Sequence, residues 1–90
     1  MVRFHPDVAW SVDCRGLSLV HLKTGDRVCL VYPEAALWDL LSREVEMTRI
    51  IRIMTALTSL EDPAVRLWCR RTVQGWIDAG WMLEDGKAAS

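Results

Sequence analysis

The first third of the chain contains three short apolar runs separated by two tight turns. The runs cover residues 8–12, 17–22 and 27–32, and each turn contains a glycine, Gly16 or Gly25, that tolerates a positive φ. In the first run, alternate residues are apolar, as in a strand with one buried face. Because short turns join successive runs, the pattern predicts a three-stranded antiparallel meander with the second strand in the centre.

Two helices are predicted directly after this meander. Pro33 ends the strand pattern and suits the first position of a helix, whose apolar side lies within residues 37–41. The second helix covers about residues 46–57, and helical spacing predicts one buried stripe on it, formed by Met47, Ile50, Ile51, Met54 and Leu57.

A third helix begins at a strong start signal. Asp62 is the predicted N-cap, Pro63 the first helical residue and Gly80 the stop after about residue 79. Its inner side is expected to be lined by Val65, Trp68, Cys69, Thr72, Val73, Trp76 and Ile77. The predicted fold class is therefore α+β, a meander followed by three helices and winged-helix-like in its parts. We expect one domain over residues 1–83, with 81–83 returning to the core, and a flexible tail over 84–90.

Composition places the chain among single-domain globular proteins. Its 90 residues are 51% hydrophobic and 26% charged. The formal charge of −1, from 11 basic and 12 acidic residues, argues against nucleic acid as a partner, since phosphate binding favours basic domains. The sequence shows neither a membrane-spanning apolar stretch nor a signal peptide, so we expect a soluble, cytoplasmic protein without membrane partners.

No catalytic or metal-binding set is predicted. The three cysteines, Cys14, Cys29 and Cys69, are odd in number and widely spaced, so they are expected to be reduced and mostly buried. His21 is the one base expected near a thiol, across a hairpin from Cys29. A buried cysteine beside a surface histidine is the simpler interpretation. We therefore expect no enzyme, no catalytic residue, no metal and no cofactor.

The third predicted strand is unusual because both of its faces are apolar although it lies at an edge. Natural edge strands are generally protected, but here Arg27 and Pro33 guard only the ends. Its unpaired backbone groups therefore form a candidate dock for an added peptide strand, which proline at Leu30 should disrupt. Three alternatives stay open: a helix covers the edge, a second copy of the chain pairs with it, or the strand order differs.

The outer side of the third helix offers a matching surface. It carries a polar, net basic set of side chains, with Leu67 on its flank: Arg66, Arg70, Arg71, Gln74 and Asp78. Such charges commonly mark a solvated helix face. In a groove beside the third strand, the guanidinium groups would instead bind acidic side chains of a peptide.

Three segments carry a resemblance to a known family. Residues 19–26 (Leu-Val-His-Leu-Lys-Thr-Gly-Asp), 33–41 (Pro-Glu-Ala-Ala-Leu-Trp-Asp-Leu-Leu) and the closing helix from Val73 through Gly80 to Leu83 resemble the PqqD-like family. That family is named for the peptide chaperone of pyrroloquinoline quinone biosynthesis. Its fold recurs as the recognition element for precursor peptides of ribosomally made natural products, the RiPP recognition element.

The resemblance implies three strands packed on three helices and a non-catalytic role. Such domains bind the leader segment of a precursor peptide as an extra strand along strand three, against the third helix. They then present it to a modifying enzyme or a leader peptidase, in a pathway of the lasso-peptide or quinone-cofactor type. Carried over by position, the implied peptide contacts are Val28, Cys29, Leu30, Val31, Tyr32, Leu67, Arg70, Arg71 and Gln74.

Two other functions compete with this one. A winged-helix nucleic-acid-binding module is suggested by the three helices and by Arg66, Arg70 and Arg71, against the balanced overall charge. A self-associating structural domain would pair strand three with its own copy in a homodimer.

Overall fold

A three-stranded antiparallel meander precedes three helices, which confirms the predicted fold class. The computed structural model describes residues 2–13 and 16–84. The elements in chain order are β1 (Val2–Phe4), β2 (Val8–Asp13), β3 (Gly16–His21), β4 (Arg27–Leu30), α1 (Glu34–Ser42), α2 (Met47–Thr58), α3 (Asp62–Asp78) and β5 (Met82–Glu84). Cys14 and residues 85–90 of the predicted tail lie outside the described residues, and Glu84 ends β5.

The meander has the predicted order, with β3 between β2 and β4. Ser18 of β3 pairs with Ser11 on one side and with Cys29 on the other. Gly16 opens β3 with a φ of 144°, and a Cβ there would lie 2.2 Å from the carbonyl oxygen of Leu30. Only glycine permits that approach of the two strands.

A second, two-stranded ribbon was not predicted. β1 pairs antiparallel with β5, so the two ends of the described chain lie side by side. Each strand has three residues, too few for an alternating pattern to be recognised. Met82 of β5 is buried, in agreement with the predicted return of this segment to the core.

The helices lie where they were predicted, with small shifts at their ends. α1 begins at Glu34, just after Pro33, and α2 begins and ends one residue later than expected. Glu61, not Asp62, is the N-cap residue of α3. In the predicted stripe of α2, Ile50, Ile51 and Met54 are buried, but Met47 and Leu57 at the helix ends are exposed, which is a correction.

The core centres on a cluster of aromatic rings. Trp38 of α1 is fully buried and contacts the rings of Phe4, Trp10 and Trp76, with centroid distances of 4.8, 5.5 and 5.1 Å. These neighbours come from β1, β2 and α3, so one side chain joins the ribbon, the meander and the helices. Across the ranges 2–13 and 16–84, no helix combines the length and hydropathy of a membrane span.

Candidate functional site

β4 lies at one edge of the meander, and it is the strand at which the sequence predicts peptide binding. Within the described residues, β4 pairs with β3 on one side, and no strand pairs with its other side. Leu30 is buried and Val28 half-buried, on the face that packs against the core, whereas Cys29 is exposed on the opposite face. The edge therefore combines unpaired backbone with an apolar inner face.

The hydrogen-bond pattern determines which backbone groups of β4 face outward. The N–H of His21 donates to the carbonyl oxygen of Asp26 at 2.8 Å. Since bonded and non-bonded pairs alternate along an antiparallel ladder, Val28 and Leu30 direct their N–H and C=O groups toward β3. The corresponding groups of Arg27 and Cys29 point away from the sheet, where a further strand could bond to them.

This alternation corrects one expectation from the sequence. Proline at Leu30 was expected to remove a donor from the open edge, but the N–H of Leu30 points toward β3 and its side chain is buried. Cys29 is the position in β4 where proline would act on the open edge alone.

Strand three is two residues shorter than predicted. The sequence pattern predicts a strand that continues through Val31 and Tyr32, but β4 ends at Leu30. The carbonyl oxygen of Val31 instead accepts the N–H of Ala35 at 2.8 Å, which turns the chain into α1. Val31 and Tyr32 are each 56% exposed, so they can contact a partner through their side chains but do not extend the ladder.

Tyr32 connects the end of β4 to the end of α2. Its hydroxyl donates a hydrogen bond to the carbonyl oxygen of Leu57, and α3 begins only a few residues later. The bond therefore holds the turn after β4 against the end of α2, the helix that precedes α3. Four exposed apolar side chains lie on the segments that meet here and are called the junction patch: Val31, Tyr32, Leu57 and Leu60.

Leu57 and Leu60 were not among the predicted site residues. Leu57 fits the periodic stripe of α2 and was therefore assigned to the core. The sequence feature that could have identified these two leucines is their position on either side of the end of α2. The helix ends there at Ser59, which has a φ of 60°. Apolar residues that flank a helix end in this way need not face the core.

The outer face of α3 is exposed, as predicted. Leu67 is 47% exposed, and Arg70, Arg71 and Gln74 are exposed beside it. Arg66 bonds to Asp62 one turn earlier, and the amide nitrogen of Gln74 donates to Asp78 at 3.0 Å. In the part of the chain that the structure describes, neither Arg70 nor Arg71 forms an ion pair. Both guanidinium groups can therefore donate hydrogen bonds to a carboxylate of a partner.

The expected pairing of His21 with Cys29 is wrong. Cys29 lies opposite Ser18, and its sulfur is 3.7 Å from the Ser18 hydroxyl. The ring of His21 instead neighbours those of His5 and Trp81, with centroid distances of 5.0 and 6.2 Å. The cause is the register, which places His21 beyond the end of β4.

The two described thiols have different surroundings. Cys69 is buried, and this burial raises the pKa of its thiol. Cys29 is exposed, contrary to the expectation that the cysteines are mostly buried. Among residues 2–13 and 16–84, histidines, cysteines and carboxylates form no cluster able to hold a metal ion.

Comparisons by sequence found no relative. No family profile matches the chain, and no curated protein matches its sequence. The fold and the edge described above therefore stand without support from sequence similarity.

Comparison with solved structures found two clear matches, both of peptide complexes. TbiB1 in complex with the TbiA(beta) leader peptide is 20% identical, with a TM-score of 0.83 over 90% of this chain and 94% of that one. A lasso peptide synthetase B1 complexed with the leader peptide is 16% identical, with a TM-score of 0.85 over 92% of this chain and 98% of that one. The predicted resemblance is confirmed at the level of the fold.

Proposed function

We propose that this protein binds the leader segment of a ribosomally made precursor peptide and presents it to a separate modifying enzyme or leader peptidase. The observation that carries the proposal is the open β4 edge, in a fold shared with two proteins solved with leader peptides. Both of those structures belong to leader complexes, and one is of a lasso-peptide synthetase, which favours a pathway of that type over the quinone-cofactor type.

Strand addition to β4 is the proposed binding mode. An extended peptide would bond to the outward backbone groups of Arg27 and Cys29, and this main-chain pairing gives affinity for many sequences. Side chains alternate between the two faces of the added strand, so every second one would turn toward the inner, apolar side where Val28 and Leu30 lie. An antiparallel orientation would continue the pattern of the sheet.

Two surfaces beside the edge would supply specificity. The junction patch offers apolar contact near the end of β4, while Arg70 and Arg71 offer charge on α3. A leader that carries both apolar and acidic side chains fits this combination. The proposed peptide contacts are the residues predicted from the sequence, together with Leu57 and Leu60. Among them, the buried Leu30 contributes to the apolar surface beneath the peptide.

The proposed role is binding, and the chemistry is assigned to the partner enzyme. The side chains around the edge offer apolar contact, hydrogen bonds and positive charge, which are the means of recognising a peptide. A bound strand leaves both of its ends outside the sheet, where a second protein can reach them.

The test is a titration with synthetic peptides that reproduce the N-terminal part of each short open reading frame beside the gene. Binding is followed by tryptophan fluorescence and by amide NMR shifts, with a scrambled peptide of equal composition as control. We expect saturable shifts in β4 and along α3 from Leu67 to Gln74. If no such peptide gives a saturable shift, the proposal is overturned, and a dimeric mass in the same sample would favour self-association through β4.

A further inference from the structure

The face of the meander that points away from the helices carries two rows of mostly small side chains. Ser11, Ser18 and Cys29 form one cross-strand row, since each pairs with the next across β2, β3 and β4. Ala9, Val20 and Arg27 form the neighbouring row. The inner face of the same strands carries larger apolar residues, so side chains cover the backbone less on the outer face than on the inner one.

These small side chains leave a shallow depression on the outer face. It has a volume of about 400 Å³ and reaches from Ala9 on β2 to Cys29 on β4. Ser11, Cys29 and Arg27 are exposed, while Ala9, Ser18 and Val20 are half-buried. Its border on β4 is the strand to which we propose that the leader adds, so the depression is continuous with the proposed edge.

We propose that the β4 end of this depression is a second specificity pocket, filled by one outward-pointing aromatic side chain of the bound leader. The inference rests on the proposed strand addition and names a subsite of that same interface. The occupant is the residue opposite Cys29, because Cys29 directs its backbone groups outward and would exchange both hydrogen bonds with that residue. The pocket therefore selects the leader independently of the side chains that face the inner surface.

Distances across a sheet support this assignment. Neighbouring strands lie about 4.8 Å apart, so the added strand would lie about 10 Å from β3 and about 14 Å from β2. Directly opposite residues have Cβ atoms about 5 Å apart, and aromatic side chains reach across distances of about 7–8 Å. An aromatic ring on the added strand would lie over Cys29 and reach Ser18, but it would stop short of Ser11.

The chemistry of the pocket also favours an aromatic ring. Sulfur makes favourable contacts with aromatic rings, and the exposed Cys29 sulfur lies at the β4 end of its row, next to the added strand. The Ser18 hydroxyl lies 3.7 Å from that sulfur and could bond to a phenol hydroxyl above it. A bulky residue at Cys29 or Ser18 would close the space, which is why small residues at both positions matter.

The first step of the test identifies the leader residue that faces Cys29. Cysteine is introduced at one position at a time in an open-reading-frame peptide that binds the protein, and each variant is oxidised with the Cys14→Ser protein. Cys69 is buried, so Cys29 is the described thiol that can react. We expect one peptide position to form the disulfide fastest, because directly opposite Cα atoms lie within the range that a disulfide spans.

The second step measures what that position prefers. Peptides with Tyr, Phe, Leu or Ala there are titrated against the parent protein, and we expect the alanine peptide to bind about five- to tenfold more weakly than the aromatic ones. Ser18→Phe should remove this preference by filling the pocket, and Ser18→Val serves as a milder filling. Val12→Phe is the control, since it places a ring on the opposite face of β2, at a position that is 69% exposed and outside the depression.

The outcomes separate this inference from the proposed function. If Ser18→Phe abolishes the preference for aromatic residues and Val12→Phe retains it, the pocket is supported. Equal affinities for the four peptides, or the same preference in Ser18→Phe, overturn the pocket while leaving strand addition intact. If no peptide position forms the disulfide although peptides bind, binding occurs away from β4; strand addition and the pocket then both fail, while leader binding itself stands.

Discussion

The hydroxyl of Tyr32 donates a hydrogen bond to the backbone carbonyl oxygen of Leu57. This bond joins the turn after β4 to the last turn of α2, two segments that are 25 residues apart in sequence. It also satisfies a carbonyl near a helix C-terminus, where intrahelical donors are lacking. The relative position of the turn after β4 and of the end of α2 therefore depends partly on this contact.

Replacing Tyr32 by phenylalanine should remove this bond while keeping the ring. We expect Tyr32→Phe to lower the free energy of unfolding by about 0.5–1.5 kcal/mol, the usual net value of such a hydrogen bond. Urea denaturation followed by tryptophan fluorescence measures the change. An unfolding midpoint equal to that of the parent would show that the bond is not formed in solution.

Proline at Cys29 should abolish peptide binding without unfolding the protein. The outward N–H of Cys29 is the donor that an added strand would use, and proline is tolerated where an edge N–H faces solvent. We expect at least about tenfold weaker binding, since the ladder loses a bond and the ring obstructs the incoming strand. Titration calorimetry measures the affinity, and circular dichroism verifies the fold.

Two control variants make this result specific. Cys29→Ala keeps the N–H and should retain strand addition, whereas Leu30→Pro should destabilise the sheet itself because Leu30 bonds to β3 and is buried. Undiminished binding by a folded Cys29→Pro protein would contradict strand addition to β4.

Charge reversal on α3 should weaken the binding of acidic peptides. Arg70→Glu combined with Arg71→Glu replaces two exposed cations, and we expect affinity to fall about tenfold at low salt. Screening should shrink the difference as ionic strength rises. Arg49→Glu combined with Arg52→Glu is the matched control on the exposed side of α2. An equal loss in both variants would indicate a general charge effect.

Truncation of Trp38 should cost most of the stability of the domain. Trp38→Ala removes a fully buried ring with three aromatic neighbours, and we expect a loss of about 3–5 kcal/mol. Leu22→Ala, at a position that is 66% exposed, should change the free energy of unfolding little. Urea titrations of both variants give the comparison, and similar losses would contradict the central role of Trp38.

The two described thiols should react at very different rates. In the Cys14→Ser protein, a thiol reagent at neutral pH should modify Cys29 quickly and Cys69 only after unfolding, because burial blocks access to Cys69 and raises its thiol pKa. The raised pKa favours the neutral thiol, so Cys69 contributes stability that is present at neutral pH and is lost as the pH rises through this raised pKa. If Cys29 and Cys69 reacted at the same rate under native conditions, the burial of Cys69 would be contradicted.

A bound peptide should protect one of these thiols. Cys29 lies on the strand that the leader is proposed to cover, so a saturating open-reading-frame peptide should slow its modification, whereas the rate for Cys69 stays unchanged. Mass spectrometry at successive times measures both rates. Equal modification of Cys29 with and without a bound peptide would place the peptide elsewhere.

Local sequence determined the meander and the helices because their signals act over a few residues. Gly16 and Gly25 make the turns, proline and glycine mark the helix ends, and alternating apolar residues make the strands. The central position of β3 and the open edge of β4 followed from these signals. The basic outer face of α3 followed from helical spacing alone.

Tertiary structure decided where the two ends of the described chain meet and which side chains are exposed near the β4 edge. The β1–β5 ribbon, the register that separates His21 from Cys29 and the exposure of Leu57 all depend on contacts between residues far apart in sequence. The outward direction of the Cys29 backbone depends on the phase of the β3–β4 ladder, which alternation of side chains cannot reveal. Periodicity shows which residues share a face, and only packing of the whole chain shows which of those faces is covered.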